Sequence, residues 1–430
     1  ERIVEAVTQD EKVVLDAPTA LGKSHTVATK PWRGVDDQPV VHLHATRDAR
    51  DEAMEASREA NVKAKKLRGR REACPVARGD YDPSDGSDVE KNEHGPISVE
   101  GTSASEWFDA VCDGKGIPFS TAHRWLRDHL EQEGREMPCC GDGGDCPAVK
   151  QWEDVPRTDS GEPSYDVIHA THAMAYVPSL TLKTNVVFDE QPDFTVELSQ
   201  NRLRRAVTAY LKEVEAPVRS FEHLVRVSRE GFNGNEHAAD GRTSPSDQRE
   251  DFLEAIEKEP SRDWYIQNDD AHVLAPALAK AIYYAEDRGN GRRAATVSHE
   301  PPTLYAQARD EEDWNRQWLT VVLDKDNTVR SIRNTPSLGL AKSVVGLDAH
   351  PSMPLWHRVY PSLEKDKVLE PDERRLWRRY ERGLRVVQVG DATRPLSGDK
   401  AREWFGEERV RALVEHLDDA HDGALRTGIT

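Results

Sequence analysis

Short apolar runs, rich in β-branched residues and bounded by Gly, Pro or charged residues, recur at 12–16, 39–45, 166–170, 185–189, 318–323 and 342–348. Runs this short and this uniformly apolar predict buried strands. The first two are each followed by a helix-like stretch, 23–29 and 47–66, so the chain opens as a βαβα unit and the sheet is expected to be mostly parallel. A further run, LRVVQVG at 384–390, predicts another strand, and a helix is expected over 399–419.

Two long segments interrupt this alternation. Residues 72–164 are rich in Gly, Asp, Ser and Pro, offer little strand signal and contain all five cysteines, which predicts an inserted module. Residues 200–313 carry the period of amphipathic helices, as in RLRRAVTAYLKEVEAPV and DDAHVLAPALAKAIYYAED, with a polar link over 233–247. No internal repeat is present. No run of about 18 apolar residues occurs, and the amino terminus lacks a basic stretch followed by an apolar one. Neither a membrane span nor a signal peptide is indicated, and a cytoplasmic protein is expected.

Charge changes the picture. Asp and Glu number 78 against 59 Lys and Arg, a net charge of -19. An acidic surface repels phosphates, unless the working medium is salty enough to shorten the Debye length to about 3 Å at 1 M. The acidic excess runs along the whole chain, as it does in haloarchaeal proteins. Against it stand two basic runs, KAKKLRGRR (63–71) and RRLWRRYERGLR (374–385), the second interleaved with Trp377 and Tyr380. Each is either a solvated helix face or a phosphate-tracking groove with stacking positions.

The chemistry concentrates at two strand ends. After the first strand comes Ala17-Pro-Thr-Ala-Leu-Gly-Lys-Ser24, a phosphate-loop pattern with alanine in place of the first glycine. Backbone N–H groups at the helix start would face phosphate oxygens, Lys23 would reach the β and γ phosphates, and the Ser24 hydroxyl would ligate Mg²⁺. NVVFDEQ (185–191) ends an apolar strand in two carboxylates, which places Asp189 and Glu190 at the carboxyl edge of the sheet. Asp189 is the expected Mg²⁺ partner, and Glu190 the group that orients or deprotonates the attacking water. GIPFSTAHRWL (116–126) is expected to be an amphipathic helix with Trp125 buried, and His169 and His172 to be satisfied structural histidines. No Ser-His-Asp or His-Glu-x-x-His arrangement appears.

APTALGKS and FDEQ together resemble the first and second motifs of superfamily 2 nucleic-acid helicases, where alanine at the first loop position is normal. Here Ala20 stands where a glycine is common, and Gln191 and Pro192 replace the Ala and His of the D-E-A-H box. The resemblance implies a nucleotide site made by Thr19, Gly22, Lys23, Ser24 and His25. HLHATRDARDEA (42–53) resembles the next motif, which implies nucleic-acid contacts at Thr46 and Arg47, with Lys65, Lys66 and Arg70 nearby. VVGLDAHPS (344–352) sits where the coupling motif would lie, putting Asp348 and His350 in that role.

In an intracellular protein, Cys74, Cys112, Cys139, Cys140 and Cys146 point to a metal site rather than disulfides, and composition leaves zinc and a 4Fe–4S cluster both open. The order of segments resembles the XPD/DinG branch of these helicases. That resemblance implies an iron-sulfur insertion ligated by Cys74, Cys112 and Cys146, with Cys139 or Cys140 as fourth ligand, and a helical arch-like insertion after the acidic box. The expected fold is α/β, a RecA-like P-loop parallel-sheet domain with both insertions. The first motor domain would comprise 1–71, 165–199 and 314–383, the cysteine-rich insertion 72–164, the helical insertion 200–313, and a second RecA-like domain would begin at 384–430. The implied function is an ATP- and Mg²⁺-dependent DNA helicase acting on single-stranded DNA, with RNA left open. The expectation includes a longer parent chain, whose second RecA-like domain supplies an arginine that contributes about 10³-fold or more in related phosphoryl transfers. The alternatives are an ATP-binding switch that never unwinds DNA, or a zinc-bearing nucleic-acid-binding module.

Overall fold

The computed structural model describes residues 1–83, 95–138, 146–158, 160–233, 244–302, 316–381, 411–412 and 415. The chain divides into two compact units, Glu1–Leu369 and Glu370–Thr430. In the second, the described part is a short helix, Pro371–Leu376, begun by a Glu370–Glu373 capping box, and a following turn that ends at Glu381. The strand expected at 384–390 lies outside the described residues, and the helix expected over 399–419 lies almost wholly outside them.

The first unit opens with α1 (Arg2–Thr8), β1 (Lys12–Asp16), α2 (Lys23–Thr29), β2 (Val40–His44), α3 (Arg47–Glu59) and β3 (Ala64–Lys66). The helix expected over 47–66 therefore stops early. Asn61 takes a left-handed backbone (φ 56°) that turns the chain into β3. The cysteine-rich segment forms α4 (Arg70–Ala73), α5 (Pro75–Arg78), a hairpin of β4 (Ser98–Val99) and β5 (Thr102–Ser103), α6 (Ala104–Asp109), α7 (Phe119–Gln132) and α8 (Pro147–Lys150). The sheet resumes with β6 (Val167–Thr171), α9 (Pro178–Thr181) and β7 (Asn185–Asp189).

Five helices follow, α10 (Gln200–Glu213), α11 (Phe221–Glu230), α12 (Pro245–Ile256), α13 (Arg262–Gln267) and α14 (Ala275–Tyr283). α10 to α13 start at Ser199, Ser220, Ser244 and Ser261, whose hydroxyls accept from the backbone N–H three residues on, satisfying donors that the helix itself cannot. Then come β8 (Glu286–Asp287), β9 (Arg293–His299), β10 (Gln317–Leu323) and β11 (Val329–Pro336), and finally β12 (Ser343–Asp348), α15 (Met353–Val359) and β13 (Glu364–Lys367).

Seven strands pair in the order β13-β1-β12-β7-β2-β6-β3, every pair parallel. This is a mixed α/β unit on a parallel central sheet, consistent with a RecA-like domain. Both faces are covered, so the inner strands are buried along nearly their whole length and mostly apolar, with His42, His44 and His169 among the buried polar exceptions. On one face Val13, Leu15, Val40, Val187 and Leu347 pack with α1, α2 and Trp32. On the other Val14, Leu43, Ile168, Phe188 and Val344 pack with Trp356 and Val359 of α15.

Two expectations are corrected here. The run at 318–323 does form a strand, but in a separate antiparallel sheet, β11-β10-β9-β8. Its burial alternates along the strand instead of being continuous, as befits a sheet with one covered face. The segment 200–313, expected to be mainly helical, also contributes β8 and β9 to that sheet. The cysteine-rich segment and the helical segment then share a single apolar core, in which Phe108, Trp125 and Leu126 join Leu203, Tyr210, Leu278 and Leu319. Lys115 reinforces the joint by donating to the carbonyls of Tyr265 and Ile266. Arg202 does the same, reaching Gly114, Asp270 and Ala271 carbonyls at 2.7 to 3.1 Å.

Candidate functional site

The loop between β1 and α2 is anchored at both ends. The Ala17 N–H donates to the Asp348 carbonyl at the end of β12 (2.9 Å), and the Gly22 carbonyl accepts from Thr26 N–H (2.8 Å). Two residues take left-handed backbone, Ala20 at φ 65° and Gly22 at φ 81°. Ala17 is not among the residues with positive φ. A side chain at the first loop position is therefore tolerated, whereas Ala20 occupies a conformation that glycine adopts at no steric cost. Lys23 folds back over the loop, its Nζ donating to the Ala17 carbonyl at 2.8 Å. Thr19 and His25 are exposed beside it. A hollow lined by Arg2, Leu15, Ala17, Leu21, Lys23 and Thr26 opens next to the loop.

Register brings the second motif to the same edge. Asp189 ends β7, and β12 alone separates that strand from β1. Ser24 Oγ donates to Asp189 Oδ1 at 2.6 Å, across 165 residues of sequence. Burial pushes the Asp189 carboxyl pKa up, but hydrogen bonds from His44 and Ser24 and the Lys23 charge outweigh it, and the pKa falls below the ordinary range. Glu190, directly after, is exposed and left-handed at φ 72°, with its N–H held by the Leu347 carbonyl at 3.0 Å. Strained backbone of this sort persists only where the surroundings enforce it.

A cluster of imidazoles lies behind Asp189. His42 and His44 alternate on β2 and so face the same side, and His42 is in register with His169 on β6. His44 Nε2 lies 3.1 Å from His169 Nδ1, and His44 Nδ1 lies 3.5 Å from Asp189 Oδ2. His169 Nε2 meets Ser57 Oγ at 2.9 Å, while Ser57 donates to the Ala28 carbonyl at 2.7 Å. Burial lowers the His169 pKa to about 3, and burial together with its histidine neighbours drives His42 well below its usual value. His172 Nε2 contacts the Asp189 carbonyl at 3.2 Å, and burial lowers its pKa to about 4. His169 and His172 are thus partnered, as the sequence led one to expect. Sequence reasoning passed over His42 and His44, although the His-x-His alternation within an apolar strand was the available signal.

The remaining site residues are placed as follows. Thr46 caps α3, its Oγ1 accepting from Ala49 N–H, and Arg47 is exposed, 3.6 Å from Glu72. Lys65 sits over the Tyr165 ring at 5.5 Å, and Lys66 pairs with Asp51 at 3.2 Å. Arg70 is turned inward onto Asp109 and Asp113 at 2.8 and 2.7 Å. Asp348 accepts from Trp356 Nε1 at 2.9 Å and from the His350 N–H. Cys74 and Cys146 are buried in the shared core and Cys112 packs against it, while Cys139 and Cys140 lie outside the described residues. Burial raises the Cys112 thiol to about 11, against the pull of Arg70. Among the described residues, one group of three or more His, Cys, Asp or Glu atoms is close enough to share a single ion: His42, His44 and His169, within 4.8 Å of one another. No described helix is long and apolar enough to cross a membrane.

No family model and no curated protein matches the sequence. Among solved structures, one titled "Truncated XPD" aligns at TM-score 0.32 and 11% identity, covering 86% of this chain and 98% of that one. Another, titled "XPD_Helicase", aligns at TM-score 0.32 and 12% identity, covering 87% of this chain and 61% of that one. The fold assignment rests on the strand order and register given above.

Proposed function

We propose that the chain is the nucleotide-binding motor domain of an ATP-dependent DNA helicase, working on single-stranded DNA together with a second RecA-like domain. The observation that carries this reading is the contact between Ser24 Oγ and Asp189 Oδ1 at the carboxyl edge of a parallel sheet. A hydroxyl and a depressed-pKa carboxylate so joined are the oxygen donors that Mg²⁺ takes beside a nucleotide. Mg²⁺, when bound, would neutralise charge on the β and γ phosphates. Lys23 would exchange its bond to the Ala17 carbonyl for phosphate oxygens, and Thr19, Gly22 and His25 would border the nucleotide. Exposed Glu190 would orient or deprotonate water. The hollow beside the loop has the mixed apolar and polar lining suited to a base or ribose.

Thr46, Arg47, Lys65, Lys66 and Arg70 are the proposed nucleic-acid contacts; Arg47, Lys66 and Arg70 would have to leave their carboxylate partners to make them. The cysteine-rich segment would hold the iron-sulfur cluster through Cys74, Cys112, Cys146 and Cys139 or Cys140, with zinc as the alternative. The order of segments supports this assignment, and anaerobic absorption spectra separate iron from zinc.

The deciding measurement is titration of the chain with Mg-ATP in high salt, beside Lys23→Ala and Asp189→Asn. The expected result is saturable binding by the parent and at least a tenfold weakening in both variants, with unchanged circular dichroism. Absence of binding by the parent ends the nucleotide reading. Binding with no hydrolysis stimulated by single-stranded DNA, even with the second domain supplied, would make the chain a switch and not a motor.

A further inference from the structure

We infer that His42, His44 and His169 form a buried binding site for a transition-metal ion of the zinc class, held by three imidazole nitrogens between the central sheet and α3. It lies behind the proposed Mg²⁺ position, touching it through Asp189, is separate from the cysteines, and does not depend on the nucleotide reading.

Geometry carries the inference. Three buried imidazoles from two neighbouring strands bring one nitrogen each within 4.8 Å of one another. His169 Nδ1 faces His44 Nε2 at 3.1 Å, and His44 Nδ1 lies 3.5 Å from an Asp189 oxygen. His169 Nε2 meets Ser57 Oγ at 2.9 Å, a hydroxyl that also reaches the Ala28 and Ala53 carbonyls at 2.7 and 3.1 Å. With the His169 proton on Nε2, the His44 and His169 lone pairs are turned toward one point; with it on Nδ1, the two rings form a hydrogen bond.

A choice of tautomer satisfies the His44–His169 pair but not His42. Both ring nitrogens of His42 are buried without a hydrogen-bond partner, and the residue is 0% exposed. A metal ion gives His42 a partner, because it accepts a lone pair from each of the three rings. The spacing fits: Zn–N bonds of about 2.0–2.1 Å in tetrahedral geometry separate ligand nitrogens by roughly 3.3 Å, against 3.1 Å observed for the closest pair. The outer partners fit as well. Ligating histidines characteristically direct their other ring nitrogen to a carboxylate or similar oxygen, and here Asp189 and Ser57 take those places.

The test uses the whole chain, produced without a histidine tag, incubated with ZnSO₄ and dialysed. Metal content is read by mass spectrometry and the ligand shell by X-ray absorption at the zinc edge. The expected result is one tightly held zinc with an imidazole shell, or two zincs with a mixed nitrogen and sulfur shell if the cysteines also take zinc. His42→Phe should remove one equivalent, and specifically the imidazole component. Should that variant fail to fold, the absorption edge of the unaltered chain still decides. Protein that takes up no zinc, or zinc ligated by sulfur without imidazole, overturns the site and leaves a cluster of neutral buried histidines.

Discussion

Ala20 sets residue type against backbone within the loop that follows β1. At φ 65° its Cβ crowds the following carbonyl, a cost of about 1–2 kcal/mol for a non-glycine residue. Ala20→Gly removes that strain but returns some chain entropy to the unfolded state. A gain of about 1 kcal/mol in urea unfolding is expected, with Mg-ATP affinity retained because the loop keeps its shape. A loss of stability would mean that the left-handed turn is not held in solution. Alanine at position 17 has no such cost, so the strand-loop-helix arrangement was legible in the sequence despite it. The Ser24–Asp189 pair was equally legible, since each residue ends or begins an element whose type was clear from local sequence. The histidine cluster was not. Its members come from two strands and gain meaning only from register, which one sequence does not state.

Among the elements, β12 shows how close packing positions the site. A Cβ placed on Gly346 would lie 2.5 to 2.9 Å from three atoms of the Trp356 ring, so a flat approach of α15 to the sheet requires glycine there. Trp356 is fully buried, and its Nε1–H holds Asp348, whose carbonyl anchors Ala17 and hence the loop. Gly346→Ala is expected to destabilise by about 1–3 kcal/mol through overpacking and to weaken nucleotide binding in step. Adding Trp356→Leu should recover part of the stability, read as a coupling energy in a double-mutant cycle by chemical denaturation. Independent, additive losses would show that the ring is not what the Cβ meets. Legibility differed by element for a related reason. Strands buried on both faces declared themselves as apolar runs, whereas β13 reads Glu-Lys-Asp-Lys. It is an edge strand, and edges are protected by charge, so the feature that keeps it from aggregating also hid it.

Across the whole first unit, acid and salt should act on different parts. His272 lies in the joint between the two inserted segments, its Nδ1 accepting from Leu274 N–H at 3.1 Å, and burial lowers its pKa to about 4. The unfolded chain takes up that proton near the ordinary histidine value of 6.5 and the folded chain does not, so stability falls as pH drops from about 6.5 toward 4. The full effect is of order 3 kcal/mol at 1.36 kcal/mol per unit. His272→Asn keeps an acceptor for Leu274 and should reduce the acid slope by this histidine's share, while His169 and His172 keep theirs; hydrogen exchange across α7, α10 and α14 should change together, because these helices share one core.

Salt acts on the net charge of -19. Self-repulsion of that size destabilises the compact state, and screening shortens from about 10 Å at 0.1 M to about 3 Å at 1 M. The melting temperature should therefore climb with KCl over this range, and NaCl should act alike, because screening does not distinguish the cations. Phosphate contacts respond in the opposite sense, since counterion release weakens them as salt rises. Folding and nucleic-acid binding thus draw on opposite ends of the same salt scale, and their overlap is set by how few phosphates are neutralised. With Lys66 and Arg70 held on carboxylates, the exposed cations left near Thr46 are few. A shallow salt slope of single-stranded DNA binding, measured by anisotropy between 0.2 and 1 M KCl (roughly 0.7 per phosphate contacted), is the expected outcome. A steep slope would require a larger basic footprint than the proposed contacts offer.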